Sequence, residues 1–146
     1  MCRYNIEINT RPIPKQRPRL SKFTVYTPKK TIDYEKLISY EWKKKYKDLV
    51  LKNAVKLDLL FCFKKAKSCK KDFHTQRPDI DNLEKAVLDG LNKIAFIDDC
   101  QVVEMKSQKI FSDIDKIVVV VTDLKKRDGL MAVYENREVI YESFNL

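Results

Sequence analysis

Glycine is almost missing from this chain: Gly90 and Gly129 are the only two in 146 residues. With so little of the most permissive residue and 44% hydrophobic residues, the chain is built to bury a core rather than to stay disordered. Histidine is scarcer still, with His74 alone. None of the four cysteines, Cys2, Cys62, Cys69 and Cys100, forms a C-x-x-C pair. A zinc site from Cys62, Cys69, His74 and Cys100 therefore matches no common zinc spacing. Cys62 lies inside an apolar strand-like run, where a buried structural thiol is the usual occupant. There is no long apolar run and no basic amphipathic terminal helix, which leaves a membrane role without support. The N-terminus is polar and passes straight into alternating sequence, so no signal peptide is expected, and free thiols suit a reducing cytoplasm. With no repeat, low-complexity tract or break in composition, a single domain over 1–146 is expected.

What the chain has in excess is positive charge: 30 Lys+Arg against 21 Asp+Glu, a net charge of +9 and an isoelectric point near 9.3. A surplus of this size favours a polyanionic partner, because each phosphate neutralised releases a condensed counterion. Nucleic acid is the expected partner.

Taken in order, residues 4–10 (YNIEINT) alternate apolar and polar and read as a half-buried strand. The next ten residues interleave Pro12, Pro14 and Pro18 with Arg11, Lys15, Arg17 and Arg19. Proline forbids a helix there, so the cations project from an extended segment, either simply solvated or against phosphate. Thr31 is a candidate N-cap for a helix over 32–49, with Tyr34, Leu37, Ile38, Trp42, Tyr46 and Leu49 on its apolar face. Residues 54–63 (AVKLDLLFCF) read as a central strand. They lead into an aperiodic basic stretch with Lys64, Lys65, Lys67, Lys70, Lys71 and Arg77, expected as a flexible loop. A helix over about 83–95 follows, then a strand over 100–111 with Val103, Met105 and Ser107 on one face. The β-branched run 117–121 is a further buried strand, and 128–146 is expected as a peripheral extension or hairpin.

The chemistry concentrates in 77–99, RPDIDNLEKAVLDGLNKIAFIDD. Asp79 and Asp81, two apart before a helix, can share one side of extended backbone. Capping of the helix explains one aspartate well and two poorly. If the strand after the helix runs back beside the helix start, Asp98 and Asp99 approach the same place. Three carboxylates with no histidine or cysteine beside them suit Mg²⁺, or Mn²⁺, rather than zinc. Lys85, one turn after Asp81, either leans into that site or pairs with Asp81 or Asp89. Asp89 and Glu84 read as helix-surface charges.

The combination of D-x-D-N-x-x-K over Asp79–Lys85, the pair Asp98–Asp99 and QVVE over Gln101–Glu104 resembles the RusA-type Holliday junction resolvases, Mg²⁺-dependent endodeoxyribonucleases of bacteria and their prophages. The resemblance extends weakly upstream to PIPKQRPRL and VYTPKKT. It implies a small α+β fold, a mixed β-sheet packed with two main helices, forming a homodimer on four-way DNA. It also implies Asp79, Asp81 and Asp99 as essential aspartates holding the metal, and Lys85 as a catalytic lysine. Lys15, Arg17, Arg19, Lys64, Lys65, Lys67, Lys70, Lys71 and Arg77 are the expected phosphate contacts. Cleavage of flaps or forks, and nucleic-acid binding without catalysis, are the competing readings.

Overall fold

A computed structural model describes residues 2–124. The extension expected over 128–146 lies outside the described residues. Six strands and two helices follow in the order β1 (Cys2–Ile8), β2 (Arg19–Leu20), β3 (Val25–Tyr26), α1 (Lys29–Tyr46), β4 (Ala54–Lys64), α2 (Ile80–Leu91), β5 (Val102–Ser112) and β6 (Lys116–Leu124). The main sheet runs β1-β6-β4-β5, with β4 and β5 parallel and the other pairs antiparallel. This is the mixed-sheet α+β fold expected from the sequence; β2 and β3 form a separate two-stranded sheet.

Alternation along the strands sends one set of side chains to the helical layer. Ile6, Ile8, Leu57, Leu59, Phe61, Ile117, Val119 and Val121 point there and are buried. Tyr34, Ile38 and Trp42 of α1, with Leu83, Val87 and Leu91 of α2, complete a single core cluster. Trp42 is fully buried, and its indole N–H donates to the Leu49 carbonyl at 3.1 Å. Gly90 permits the close approach of the helices: a Cβ there would stand 2.9 Å from Ile38 Cβ and 3.2 Å from the Glu35 carbonyl oxygen. Gly90→Ala should therefore lower the urea midpoint. The clash costs about 1–3 kcal/mol, which outweighs the roughly 1 kcal/mol of helix propensity gained. A raised midpoint would show that the helix pair has slack.

Several expectations are corrected. The first helix begins at Lys29, with Pro28 at the N-cap position, while Thr31 is buried inside the first turn and caps nothing. Proline is tolerated at a helix start because its missing N–H had no intrahelical partner. The second helix runs Ile80–Leu91 rather than on to residue 95, because Asn92 leaves helical geometry and Lys93 takes φ 62°. Val103 does not share a face with Met105 and Ser107: a register irregularity between Val55 and Lys56 skips it, leaving Val102 opposite Val55 and Val103 64% exposed. The basic stretch after β4 is moored rather than loose. His74 N–H donates to Lys109 O at 3.1 Å, Phe111 N–H donates to Asp72 O at 2.8 Å, and the buried His74 ring stacks on Phe63 with centroids 3.9 Å apart. The β-branched run 117–121 lies in β6, an internal strand of the sheet between β1 and β4, as its composition led one to expect.

Candidate active site

The apolar stripe of α2 fixes the direction of its other side. With Leu83, Ala86, Val87, Gly90 and Leu91 buried, Asp81 and Lys85 are left exposed. Asp79 occupies the N-cap position in extended geometry, yet its side chain makes no capping hydrogen bond. Both aspartates of the D-x-D pair thus keep their carboxylates uncommitted to the helix end. Two contacts hold the approach to α2. Lys109 of β5 donates through Nζ to the carbonyls of Gln76 at 2.7 Å and Pro78 at 2.6 Å, and the Lys15 N–H donates to Asn82 O at 2.8 Å.

Asp99 reaches the site from the other end. A single 3-10 turn, Asp99–Gln101, precedes β5, and Gln101 locks it. Its side chain accepts from the Asp98 N–H at 2.9 Å and donates to the carbonyls of Leu51 at 3.1 Å and Asn53 at 2.7 Å. Asp98 is exposed. The Asp99 N–H is held by Asn92 Oδ1 at 3.1 Å, and Asp99 Oδ2 lies 3.7 Å from Lys85 Nζ. Asp99 therefore meets the middle of α2 through Lys85, where the sequence placed the meeting at the helix start. β5 does return beside the segment before α2, but it does so with its far end, at Lys109 and Phe111.

Lys85 is part of a longer run of charge. Its Nζ is 3.1 Å from Asp89 Oδ1, Asp89 Oδ2 is 2.8 Å from Lys15 Nζ, and Lys15 Nζ is 2.5 Å from Glu35 Oε1. Hydrogen bonding to Asp89 holds the Lys85 ammonium above its ordinary pKa, with Asp99 adding to it. Burial alone would raise the Asp89 carboxyl, but the hydrogen bonds from Lys15 and Lys85 outweigh it and hold the group below its ordinary range. Burial alone would likewise lower Lys15, and here too Asp89 and Glu35 outweigh it, so its pKa is raised. Asp89 was read from the sequence as a surface charge. Its side chain is 20% exposed and joins two lysines. Its spacing of four from Lys85 was the one legible signal; the link to Lys15 depends on the fold.

The expected phosphate contacts fall into two groups. Arg17, Arg19, Lys64, Lys67, Lys70, Lys71 and Arg77 are exposed. Lys65 is half-buried and 3.9 Å from Asp72, and the Lys15 ammonium is already held between two carboxylates. The segments carrying these cations converge on the start of α2, one through Lys15 and the other through Pro78.

Among the described residues, no group of three or more His, Cys, Asp or Glu side chains is close enough to form a ready-made metal cage. The donor set nevertheless fits Mg²⁺. The exposed Asp79 and Asp81 offer only hard oxygens, and Mg²⁺ characteristically takes one or two carboxylates and completes its shell with water and phosphate. Zinc finds no such set: His74 is packed between Phe63 and Phe111, and Cys62 is buried beneath the sheet surface.

The family model described as Endodeoxyribonuclease RusA matches residues 9–122. The chain belongs to this family. The match begins just after β1 and takes in both helices, β2 to β5 and most of β6, together with Asp79, Asp81, Lys85, Asp89 and Asp99. A relative, the uncharacterized protein YqaN of Bacillus subtilis (strain 168), is 38% identical over 50 residues, covering 34% of this chain and 35% of its own length. The chain thus spans about a third of the curated relative it matches. The family is described as one of endodeoxyribonucleases. No described helix is long and apolar enough to cross a membrane.

Proposed function

We propose that this RusA-family protein is a cytoplasmic, Mg²⁺-dependent endonuclease that resolves four-way DNA junctions as a homodimer. The observation that carries the reading is the meeting of Lys85 and Asp99, 3.7 Å apart, one helical turn beyond the exposed D-x-D pair. A cap-and-balance role for the aspartates is disfavoured because Asp79 makes no capping bond.

Asp79, Asp81 and Asp99 would hold the ion, which when bound would acidify a water and screen the attacked phosphate. Lys85 stabilises the extra negative charge that develops on the phosphate oxygens as water attacks in line. Asp89 keeps the Lys85 ammonium charged and aimed, with Lys15 and Glu35 fixing Asp89 in turn. Exposed Arg17, Arg19, Lys64, Lys67, Lys70, Lys71 and Arg77 take backbone phosphates, which gives affinity and salt dependence without sequence choice. Lys15 and Lys65 serve as positioning groups for their carboxylate partners before they serve as phosphate contacts. A four-way junction has two-fold symmetry, and a two-fold dimer presents one active site to each of two matching strands.

The test is a panel of end-labelled four-way junctions, flaps, forks and linear duplexes incubated with Mg²⁺ or Mn²⁺. Paired, symmetry-related nicks confined to the four-way junction are expected. Preferential cutting of flaps or forks would move the protein to another branched substrate, and binding without cleavage in either metal would make it a non-catalytic DNA-binding module.

A further inference from the structure

After Pro12 and the half-buried Ile13, the chain leaves the core, touches the start of α2 through the Lys15–Asn82 backbone bond, and turns outward into the β2–β3 hairpin. The hairpin pairs Arg19 with Tyr26 and Leu20 with Val25. Its turn is closed three times by Ser21. The Ser21 N–H donates to Thr24 O at 2.8 Å, the hydroxyl donates to the same carbonyl at 3.0 Å, and the hydroxyl oxygen accepts from the Thr24 N–H at 3.2 Å. Lys22 and Phe23 are thereby presented at the apex of a pre-shaped turn.

This hairpin carries an unusual amount of bare apolar surface. Phe23 is 90% exposed, Leu20 84%, Val25 62% and Tyr26 47%. A two-stranded hairpin with no face packed on a core gains nothing in folding from such residues. Clustered exposed apolar groups mark a contact surface. The charge around them indicates what makes the contact. Between Glu7 and Asp33 there is no acidic residue, whereas Arg17, Arg19, Lys22, Lys29 and Lys30 are all exposed cations. An apolar protein surface or a lipid tail would leave these cations unmatched, while nucleic acid satisfies both features.

We infer that the hairpin is a wedge that stacks Phe23 on an exposed base at the branch point of the DNA, with the flanking cations on the adjoining phosphates. Linear duplex presents no free base face. A branch point does, because its pairs are least well stacked, and aromatic stacking there is tolerant of sequence. The reach is right. Arg19, at the foot of the hairpin, lies four residue steps from Lys15, which is bonded beside Asp81, a span of at most about 14 Å. At about 3.4 Å per nucleotide that is within about four nucleotides of a phosphate at the active site. The wedge rests on the branched-DNA reading of the active site and supplies what the acidic cluster lacks, a means of sensing the branch.

The test measures binding in an Asp81→Asn background, so that substrate survives, using a four-way junction with 2-aminopurine at the branch point and a linear duplex of the same sequence. Phe23→Ala should weaken junction binding about tenfold, leave duplex binding unchanged and remove the fluorescence change of the probe; Phe23→Trp should restore all three. Equal affinity of Phe23→Ala and its parent for the junction overturns the wedge, as does equal loss on junction and duplex. Loss of the dimer in sedimentation by Phe23→Ala also overturns it, since the hairpin would then grip a second copy of the chain. Failure of the unsubstituted protein to cleave any branched DNA is a different result and removes the nuclease reading instead.

Discussion

Asp81→Asn is expected to reduce Mg²⁺-dependent cleavage of branched DNA by at least about 10²–10³-fold, the loss typical when one preorganised charge-stabilising group is removed from a reaction centre. The substitution keeps shape and removes one negative charge. Asp81 is exposed in the first turn of α2 and is paired with none of the described lysines or arginines, so folding should lose no more than the favourable interaction with the helix dipole, about 0.3–1 kcal/mol. Junction binding without metal should be unchanged or slightly tighter, because a negative group facing phosphate is removed. That separation of binding from cleavage is the signature to look for in a gel-shift and a cleavage assay run on one preparation. Unchanged Mg²⁺-dependent cleavage would sink the catalytic assignment of the D-x-D pair.

The second large effect is expected at Asp89, which touches no metal or phosphate in the proposed mechanism. Asp89→Ala removes the carboxylate shared by Lys15 and Lys85, at 2.8 and 3.1 Å, and leaves Lys85 with Asp99 alone. The kcat should fall about 10–100-fold, as for other groups that orient a reacting residue, while KM moves little because the exposed phosphate-binding cations are untouched. Asp89→Glu should recover part of the loss. A purely structural role would not split kcat from KM in this way.

Stability follows the same residue. Breaking a fully buried pair costs about 3–5 kcal/mol, and partial exposure of all three partners brings this to about 1–2 kcal/mol. Because the folded Asp89 carboxyl is held below its ordinary value of 3.8, its contribution is complete above that value and is lost as pH falls through the folded one. The raised Lys15 and Lys85 work in the opposite direction, and their contribution persists up to their ordinary value of 10.5 and is lost above it. Thermal melts across pH should therefore show a plateau between these limits, with a shallower acid limb for Asp89→Asn than for the parent. Identical limbs would mean that the lysines do not hold Asp89 in solution.

Local pattern made much of this legible. The α2 stripe was readable because Leu83, Ala86, Val87, Gly90 and Leu91 repeat at helical spacing and bury together. The strands β4 and β6 were readable because apolar and β-branched runs of nine to eleven residues have few alternatives to the centre of a sheet. Misplaced boundaries came from local rules overridden by packing. Thr31 looks like a cap, but the helix begins earlier and the core takes Thr31 in. The basic loop looks mobile, but His74 stacks on Phe63 and Lys109 ties the chain at Gln76 and Pro78. The β2–β3 hairpin escaped notice because prolines and cations dominate its surroundings, and two-residue strands carry too short an alternation to read.

By itself, the sequence determined the composition of the acidic centre, its oxygen-only chemistry, the basic setting and the α+β class, since these follow from residue type and short-range periodicity. Only the tertiary structure decided which charges meet. Lys15, Glu35, Asp89, Lys85 and Asp99 are scattered over 85 positions of the chain and join in one run of ion pairs. The close crossing of α1 on α2 at Gly90 and the return of the chain through Gln101 bring them within reach. Spacing along a helix shows that Lys85 can reach Asp89; the long-range packing of the core sets Lys15 on the other side of that carboxylate.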